Sequence, residues 1–293
     1  MFTLSVISDE ISQDFERIVA VAQDFPRLRG VEPRTIEDKA LHELSDEDCR
    51  RVGRLAQEAG LRVVALASPF YKCDLGDRAA QRQHQEHLKR YAEIAHGWGC
   101  NLVRGFTFWR TGPAEQVWSE IVGAFERPLE ICEREDIHLM IENEASTHLA
   151  TAREAAAFYE QISHPRVRAV WDPANEVFAA EGERPFPEAW ERMKPWLIHV
   201  HLKDAVRDPE SPDGARSVPI GEGGVIDFPA QFRALLEMGY EGACSLETHW
   251  RPARELDTEL LNRPGGSAFS AGGEEASRIC LANLERIFEE LGI

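Results

Sequence analysis

No stretch of this chain approaches about 18 uninterrupted apolar residues, so nothing in the sequence reads as a membrane-spanning helix. Cysteine is scattered: Cys49, Cys73, Cys100, Cys132, Cys244 and Cys280 show no C-x-x-C spacing and lie mostly within apolar runs. Disulfides and a thiolate zinc site are therefore not expected, and a reducing compartment is. Basic charge is scarce. With 33 Lys and Arg against 51 Asp and Glu, the net charge of −18 works against attachment to nucleic acid or anionic membrane, both of which need a basic surface. The chain opens on a strand-like run over 2–7 with no basic segment or long apolar segment before it, so a cytoplasmic protein is the expectation. A Gly/Ser-rich linker is also missing, as is any break in composition, which favours one domain over 1–293.

What is present is a rhythm. Short apolar runs read as strands over 3–8, 28–34, 62–67, 102–108, 138–144, 167–171, 198–204 and 243–247. Amphipathic stretches between them read as helices over 14–24, 45–59, 80–97, 113–135, from 151, 188–194, 228–238 and 274–291. The Ser45-Asp46-Glu47-Asp48 opening is a capped, acidic helix start, and Gly60 marks the end of that helix. Eight strands each followed by a helix give an α/β fold, the (β/α)8 TIM barrel. A doubly wound open sheet is the structural alternative, but the glycine-rich first turn it usually carries is absent. Two irregular segments, 205–225 and 251–273, follow strands and so lie over the active-site face of a barrel. The second contains Arg263-Pro-Gly-Gly and Ala271-Gly-Gly, which suits a mobile lid, a dimer contact or a disordered excursion.

The ends of the later strands carry polar residues. Ile198 to Asp204 alternates His199, His201 and Lys203 on one face with Val200 and Leu202 on the other. Taken alone, the two imidazoles fit either hydrogen-bonded core histidines or metal ligation. The fifth strand ends in Glu142-Asn143-Glu144, the sixth in Asp172-Pro173-Ala174-Asn175 and the eighth in Glu247-Thr248-His249. Three carboxylates and an imidazole converging in one pocket would repel and be costly to keep charged; a divalent cation removes the difficulty. Ordinary ion pairs with arginines at the rim are the competing explanation. Oxygen-rich ligation with one nitrogen suits Mn²⁺ first, with Mg²⁺, Co²⁺ or Zn²⁺ as alternatives.

The motifs Ile141-Glu142-Asn143, Asp172-Pro-Ala-Asn175, His199-Val-His201-Leu-Lys-Asp204, Gly221-Glu222-Gly223 and Leu246-Glu247-Thr-His249 resemble the sugar phosphate isomerase/epimerase family of xylose isomerase-like barrels. So do the opening Ile7-Ser-Asp-Glu-Ile-Ser and Ala67-Ser-Pro-Phe70 before Lys72, and the resemblance covers nearly the full length. That family includes ketose 3-epimerases, hydroxypyruvate isomerase and inosose dehydratase, with endonuclease IV a more distant relation. The resemblance implies one divalent ion on Glu142, Asp172, His201 and Glu247, with Glu142 and Glu247 as the acid-base pair. His199, one layer deeper, is then a supporting or packing histidine, and Lys203 and Asp204 belong to the rim. Several members place a substrate-binding His three residues after the ligand Asp, where this chain has Asn175. An Arg six residues beyond the ligand His contacts sugar in those enzymes, and Arg207 stands at that spacing.

Lys72, Arg104, Lys203 and Arg207 could hold an acidic or phosphorylated substrate or form rim salt bridges. Glu222 sits in a tight glycine turn that is either near a ligand or simply on the surface. His249 and Trp250 follow a presumed ligand and so are candidates to line the pocket and meet substrate, with simple packing the alternative for Trp250. Phe70, Phe106, Phe108 and Trp109 form either an apolar wall beneath a sugar or plain core. Glu32 and Arg34 read as a mutual pair, and His84, His87 and His96 as surface or packing residues. The implied activity is metal-dependent isomerisation or epimerisation of a sugar-like polyhydroxy carbonyl compound through an enediolate. A lyase that dehydrates an inosose-like keto-cyclitol shares that intermediate, and a sugar-binding barrel without turnover is the remote alternative. A repair nuclease is a third reading that the sequence disfavours, because histidines are missing from the ends of the third and fourth strands, no Asp-x-His occurs between Asp204 and Asp227, and the net charge is −18. The partner is a small sugar or polyol-derived molecule, with no nucleic acid and no membrane; a homodimer or homotetramer is left open.

Overall fold

The structure, a computed structural model, describes all residues from Met1 to Ile293. Its strands in chain order are β1 (Thr3–Val6), β2 (Gly30–Val31), β3 (Thr35–Ile36), β4 (Lys39–Ala40), β5 (Arg62–Val63), β6 (Leu66–Phe70), β7 (Leu102–Gly105), β8 (His138–Glu142), β9 (Val167–Trp171), β10 (Leu197–Leu202), β11 (Asp204–Arg207), β12 (Ala215–Val218) and β13 (Ala243–Leu246). The chain divides into two compact units, one of Met1–Val64 with Val200–Ile293 and the other of Ala65–His199. No helix is long and apolar enough to cross a membrane.

In the first unit β1 runs parallel to β13, with Thr3 opposite Ala243 and Val6 opposite Leu246. β2 runs parallel to β5. Strands of this kind bury both faces, which is why Leu4, Val6, Ile7, Val31, Val63, Cys244 and Leu246 are all in the core. β1 is followed at once by a single tight turn, Ser8–Glu10, which turns Asp9 and Glu10 inward instead of into water. The closing helix, Gly273–Leu291, begins against that turn. A Cβ on Gly273 would lie 2.2 Å from the Glu10 carbonyl oxygen, so only glycine permits the approach. Ser277 Oγ donates to the same carbonyl at 3.0 Å.

The segment 205–225 is more regular than its composition suggests. β11 and β12 form an antiparallel hairpin with Asp204 opposite Val218 and Arg207 opposite Ala215. The turn residues Pro209, Ser211, Pro212 and Gly214 all fall in its connection, and they mask the two short strands on either side. Segment 251–273 likewise contains two short helices, Thr258–Asn262, capped by Asp257, and Gly266–Ser270.

Asp204 is buried and is not a rim residue. Its Oδ1 accepts from the amides of Ala205 at 3.0 Å and Ile226 at 3.3 Å, and its Oδ2 accepts from that of Gly221 at 3.0 Å. Gly224 completes this clasp, since a Cβ there would collide with the carboxylate. Burial pushes the Asp204 carboxyl up to about 6 in spite of these three amides. A carboxyl raised on folding binds protons more tightly in the folded state, so the stability it confers is present at low pH and lost as pH rises towards 6. The stability difference between wild type and Asp204→Asn should therefore shift against the wild type between about pH 4 and pH 6. Urea midpoints measured across that range check this; a difference that stays flat contradicts it.

In the second unit β6, β7, β8 and β9 form successive parallel pairs, with Leu102 opposite His138 and Leu139 opposite Val167. The expected single helix over 113–135 is broken into Trp118–Ala124 and Glu126–Arg134. Pro128 has no amide hydrogen for the Ala124 carbonyl four residues back. The Tyr71 hydroxyl donates to that oxygen instead, at 2.9 Å. The expected third strand is interrupted into β5 and β6 at Val64–Ala65, where the first unit gives way to the second; β10 carries the chain back, crossing the division between His199 and Val200.

Candidate metal and substrate site

In the second unit β8 ends on Glu142 and β9 runs directly into Asp172, and both carboxylates are buried. Asn143 fixes their relative position. Its Oδ1 accepts from the Asp172 amide at 2.9 Å and its Nδ2 donates to the Asp172 carbonyl at 2.8 Å, continuing the ladder with a side chain. Asp172 Oδ1 accepts from the amides of Ala174 at 2.8 Å and Asn175 at 3.3 Å. The Asn175 side chain donates to the Asn143 carbonyl at 2.7 Å, so it acts as a clasp on this turn. Arg104 Nη1 donates to Glu142 Oε2 at 3.1 Å, while its Nη2 reaches the Ala67 carbonyl at 3.3 Å. Lys72 lies 3.4 Å from Glu144 and over the rings of Phe106, at 4.3 Å, and Trp109, at 5.7 Å. Phe106 thus supports two cations, Lys72 and Arg104. Phe108 is core, stacked on Tyr71.

In the first unit the charged residues are denser. Glu247, at the end of β13, is buried, with Arg34 Nη1 donating to its Oε1 at 2.8 Å. Its Oε2 has Lys203 Nζ and His201 Nδ1 each at 3.4 Å. Burial alone would raise the Glu247 carboxyl, but Lys203, His249 and His201 together hold it well below the usual carboxylate range. The other imidazole nitrogen of His201 lies 3.4 Å from Glu32 Oε2. A carboxylate behind one nitrogen is the arrangement that orients a ligating histidine by its other nitrogen.

Arg34 does not pair with Glu32, as their spacing suggested. Its guanidinium donates to Asp9 at 2.8 Å, Glu10 at 3.1 Å and Glu247 at 2.8 Å. Burial raises Glu10, but His249, Arg251 and Arg34 outweigh it and leave its carboxyl below the ordinary range. Asp9 goes the other way: burial, with the neighbouring Glu10, outweighs Arg34 and Thr35 and leaves its carboxyl raised. Arg251 Nη1 donates to Glu10 at 3.2 Å and its Nη2 to the Phe269 carbonyl at 2.9 Å. Both guanidiniums, of Arg34 and of Arg251, lie over the Phe269 ring, at 4.6 and 4.8 Å. His249 Nε2 lies 3.4 Å from Glu10 and 3.5 Å from Glu247, with a left-handed backbone at φ 48°.

Residues 22–271 match the description of the xylose isomerase-like TIM barrel. The chain belongs to that family. Within this barrel family it is similar to the inosose dehydratase of Geobacillus kaustophilus, 27% identical over 218 residues that cover 65% of this chain and 69% of the relative. Among solved structures it is similar to the IolI protein with a bound zinc atom, at a TM-score of 0.72 and 17% identity over 99% of both chains. It is also similar to the D-psicose 3-epimerase of Clostridium cellulolyticum in complex with D-tagatose, at a TM-score of 0.67 and 15% identity, covering 95% of this chain and 99% of that one.

Of the residues the sequence suggested, Glu142, Asp172, Arg104 and Asn175 are buried in the second unit, and His201, Glu247, Lys203 and His249 are buried in the first. Lys72 lies over the Trp109 ring as well as that of Phe106. Arg207 is exposed at the end of β11. Glu222 is exposed as well and belongs to a surface contact, accepting from Asn283 Nδ2 at 2.8 Å, with Arg286 3.6 Å away. The sequence reading gave no role to Asp9, Glu10 or Arg251 and mispaired Arg34. Asp9 and Glu10 lie within four residues of the end of β1, and Glu32 and Arg34 within three of the end of β2, so the strand-end criterion used for the later strands would have selected all four.

Proposed function

We propose that this protein is a divalent-metal-dependent enzyme that removes a proton from carbon next to the carbonyl of a small polyhydroxy compound. The ion would be held by Glu142, Asp172, His201 and Glu247, because strand ends converge in a barrel. Four buried donors, three of them carboxylates, suit a hard or borderline cation such as Mn²⁺, Mg²⁺ or Zn²⁺. The family match runs through both units, which supports reading 1–293 as one barrel domain.

The observation that carries this reading is Glu247, buried yet kept ionised by cations of its own unit. When bound, the ion supplies positive charge against the negative charge that develops on the substrate carbonyl oxygen. The chain's own residues do the rest. Glu142 and Glu247 take and return the proton, with Arg104 steadying the first and Arg34 and Lys203 the second. Glu32 orients His201. Return of the proton to the other carbon or the other face gives isomerisation or epimerisation. A second reading, loss of a β-hydroxyl from a keto-cyclitol, is favoured by the similarity to inosose dehydratase.

Incubation in deuterated water with Mn²⁺ and a panel of ketoses and keto-cyclitols tests both. Isomers carrying solvent deuterium support isomerisation; loss of water supports the lyase. Metal uptake without exchange or elimination on any compound would leave only a sugar-binding barrel and end the catalytic reading.

A further inference from the structure

Beside the buried charges of the first unit lies a cavity of about 590 Å³, between the β11–β12 hairpin and the segment that follows β13. Ligand pockets run from roughly 300 to 1,000 Å³, so this one has room for more than a single small ring. His249 and Arg251 belong to its lining, whereas Glu247, His201 and Lys203 do not. The cavity therefore adjoins the proposed reacting position without coinciding with it.

Three of its lining residues carry buried polar atoms with no hydrogen-bond partner in the protein. They are Ser217 Oγ, His249 Nε2, which lies near Glu10 and Glu247, and Arg251 Nε, on a guanidinium whose other two nitrogens donate to Glu10, Trp250 and Phe269. A buried polar group without a partner is costly, and a ligand hydroxyl offsets that cost by donating or accepting. Trp250 adds an aromatic residue to the lining. The lining carries as many basic as acidic side chains: Arg216, Arg251 and Arg254 beside Asp213, Glu255 and Asp257. That balance suits a neutral, hydroxyl-rich ligand better than a phosphate or a carboxylate.

We infer that this cavity is an outer subsite for a second, neutral polyhydroxy ring, so that the substrate is a glycoside or a similarly ring-substituted keto compound instead of a bare monosaccharide. The inference rests on the proposed active site for its inner end. Its test does not require turnover.

The test titrates metal-free and Mn²⁺-loaded protein with myo-inositol, methyl glucoside, maltose and cellobiose by calorimetry. It compares wild type with Ser217→Phe, which fills the cavity from the hairpin, and Leu261→Trp, which fills it from the facing helix. The expected result is at least tenfold tighter binding of a two-ring compound than of either single-ring one in wild type. Both filled variants should lose that advantage, keep single-ring affinity within about twofold and keep the wild-type melting temperature. Equal affinity for one- and two-ring compounds, or a two-ring preference unchanged in whichever variant folds, overturns the subsite. If only the deuterium exchange fails while the two-ring preference stands, the catalytic reading falls and the subsite remains.

Discussion

Glu247→Gln should leave a folded protein that binds no stoichiometric divalent ion and loses about 10²- to 10⁴-fold in proton exchange, the range expected when an acid-base group is removed. Glutamine keeps the shape and can still accept from Arg34, but it cannot match the charge of Arg34 and Lys203 in a site from which water is excluded. Breaking a buried pair by neutralising one partner costs about 3–5 kcal/mol, and the retained hydrogen bond puts the expected loss at the lower end. Its pH dependence is part of the expectation. Glu247 is lowered on folding, so the stability it confers is fully present above the unfolded carboxylate value and is lost as pH falls through the lower folded value. In metal-free protein the gap between wild type and variant should thus be widest near neutrality and close on acidification. Metal analysis, urea denaturation at several pH values and deuterium exchange together check this. A variant that still takes up one equivalent of metal would remove Glu247 from the ligand set.

Lys203 and Arg34 also explain why the metal argument could be started from sequence but not finished there. Where an apolar run stops at an acidic residue, as at Ile141-Glu142, Trp171-Asp172 and Leu246-Glu247, one local signal gives both the strand and the polar group at its end. The counter-charges carry no local signal. Arg34 reaches Glu247 across 213 residues of chain, and Arg251 reaches Glu10 across 241. Only folding sets these partners. The same limit accounts for Glu32 and Arg34, which look like a pair because they are two residues apart but in a strand-like exit turn to different partners, His201 and the Asp9–Glu10 turn. The β11–β12 hairpin was hidden for a different reason. Each strand is four residues long, and their periodicity is too brief to stand out beside a connection rich in proline, aspartate and glycine.

Arg34→Met is the other change expected to have a large effect, and it acts on stability. Arg34 is only 4% exposed and is the one side chain that donates to Asp9, Glu10 and Glu247 together, with the Phe269 ring against its guanidinium. Methionine keeps much of the volume and the contact with the ring, so a large loss would come from charge and hydrogen bonds, not from packing. Three carboxylates would then lie buried with one central cation removed. The expected cost is about 3–5 kcal/mol at neutral pH. Acid should rescue the variant relative to wild type, because protonation relieves carboxylates that no longer have a guanidinium to hold them ionised, while it removes stability from the wild-type pairs. Arg34→Lys separates charge from geometry. A lysine restores one positive charge but cannot present the planar fork that three acceptors share, so its stability should fall between those of wild type and Arg34→Met. Urea midpoints at pH 7 and pH 4.5 read all three proteins. If Arg34→Met unfolds within about 0.5 kcal/mol of wild type at pH 7, the guanidinium is not what holds these carboxylates together, and the proposed ionised state of Glu247 would have to rest on Lys203 and the two histidines alone.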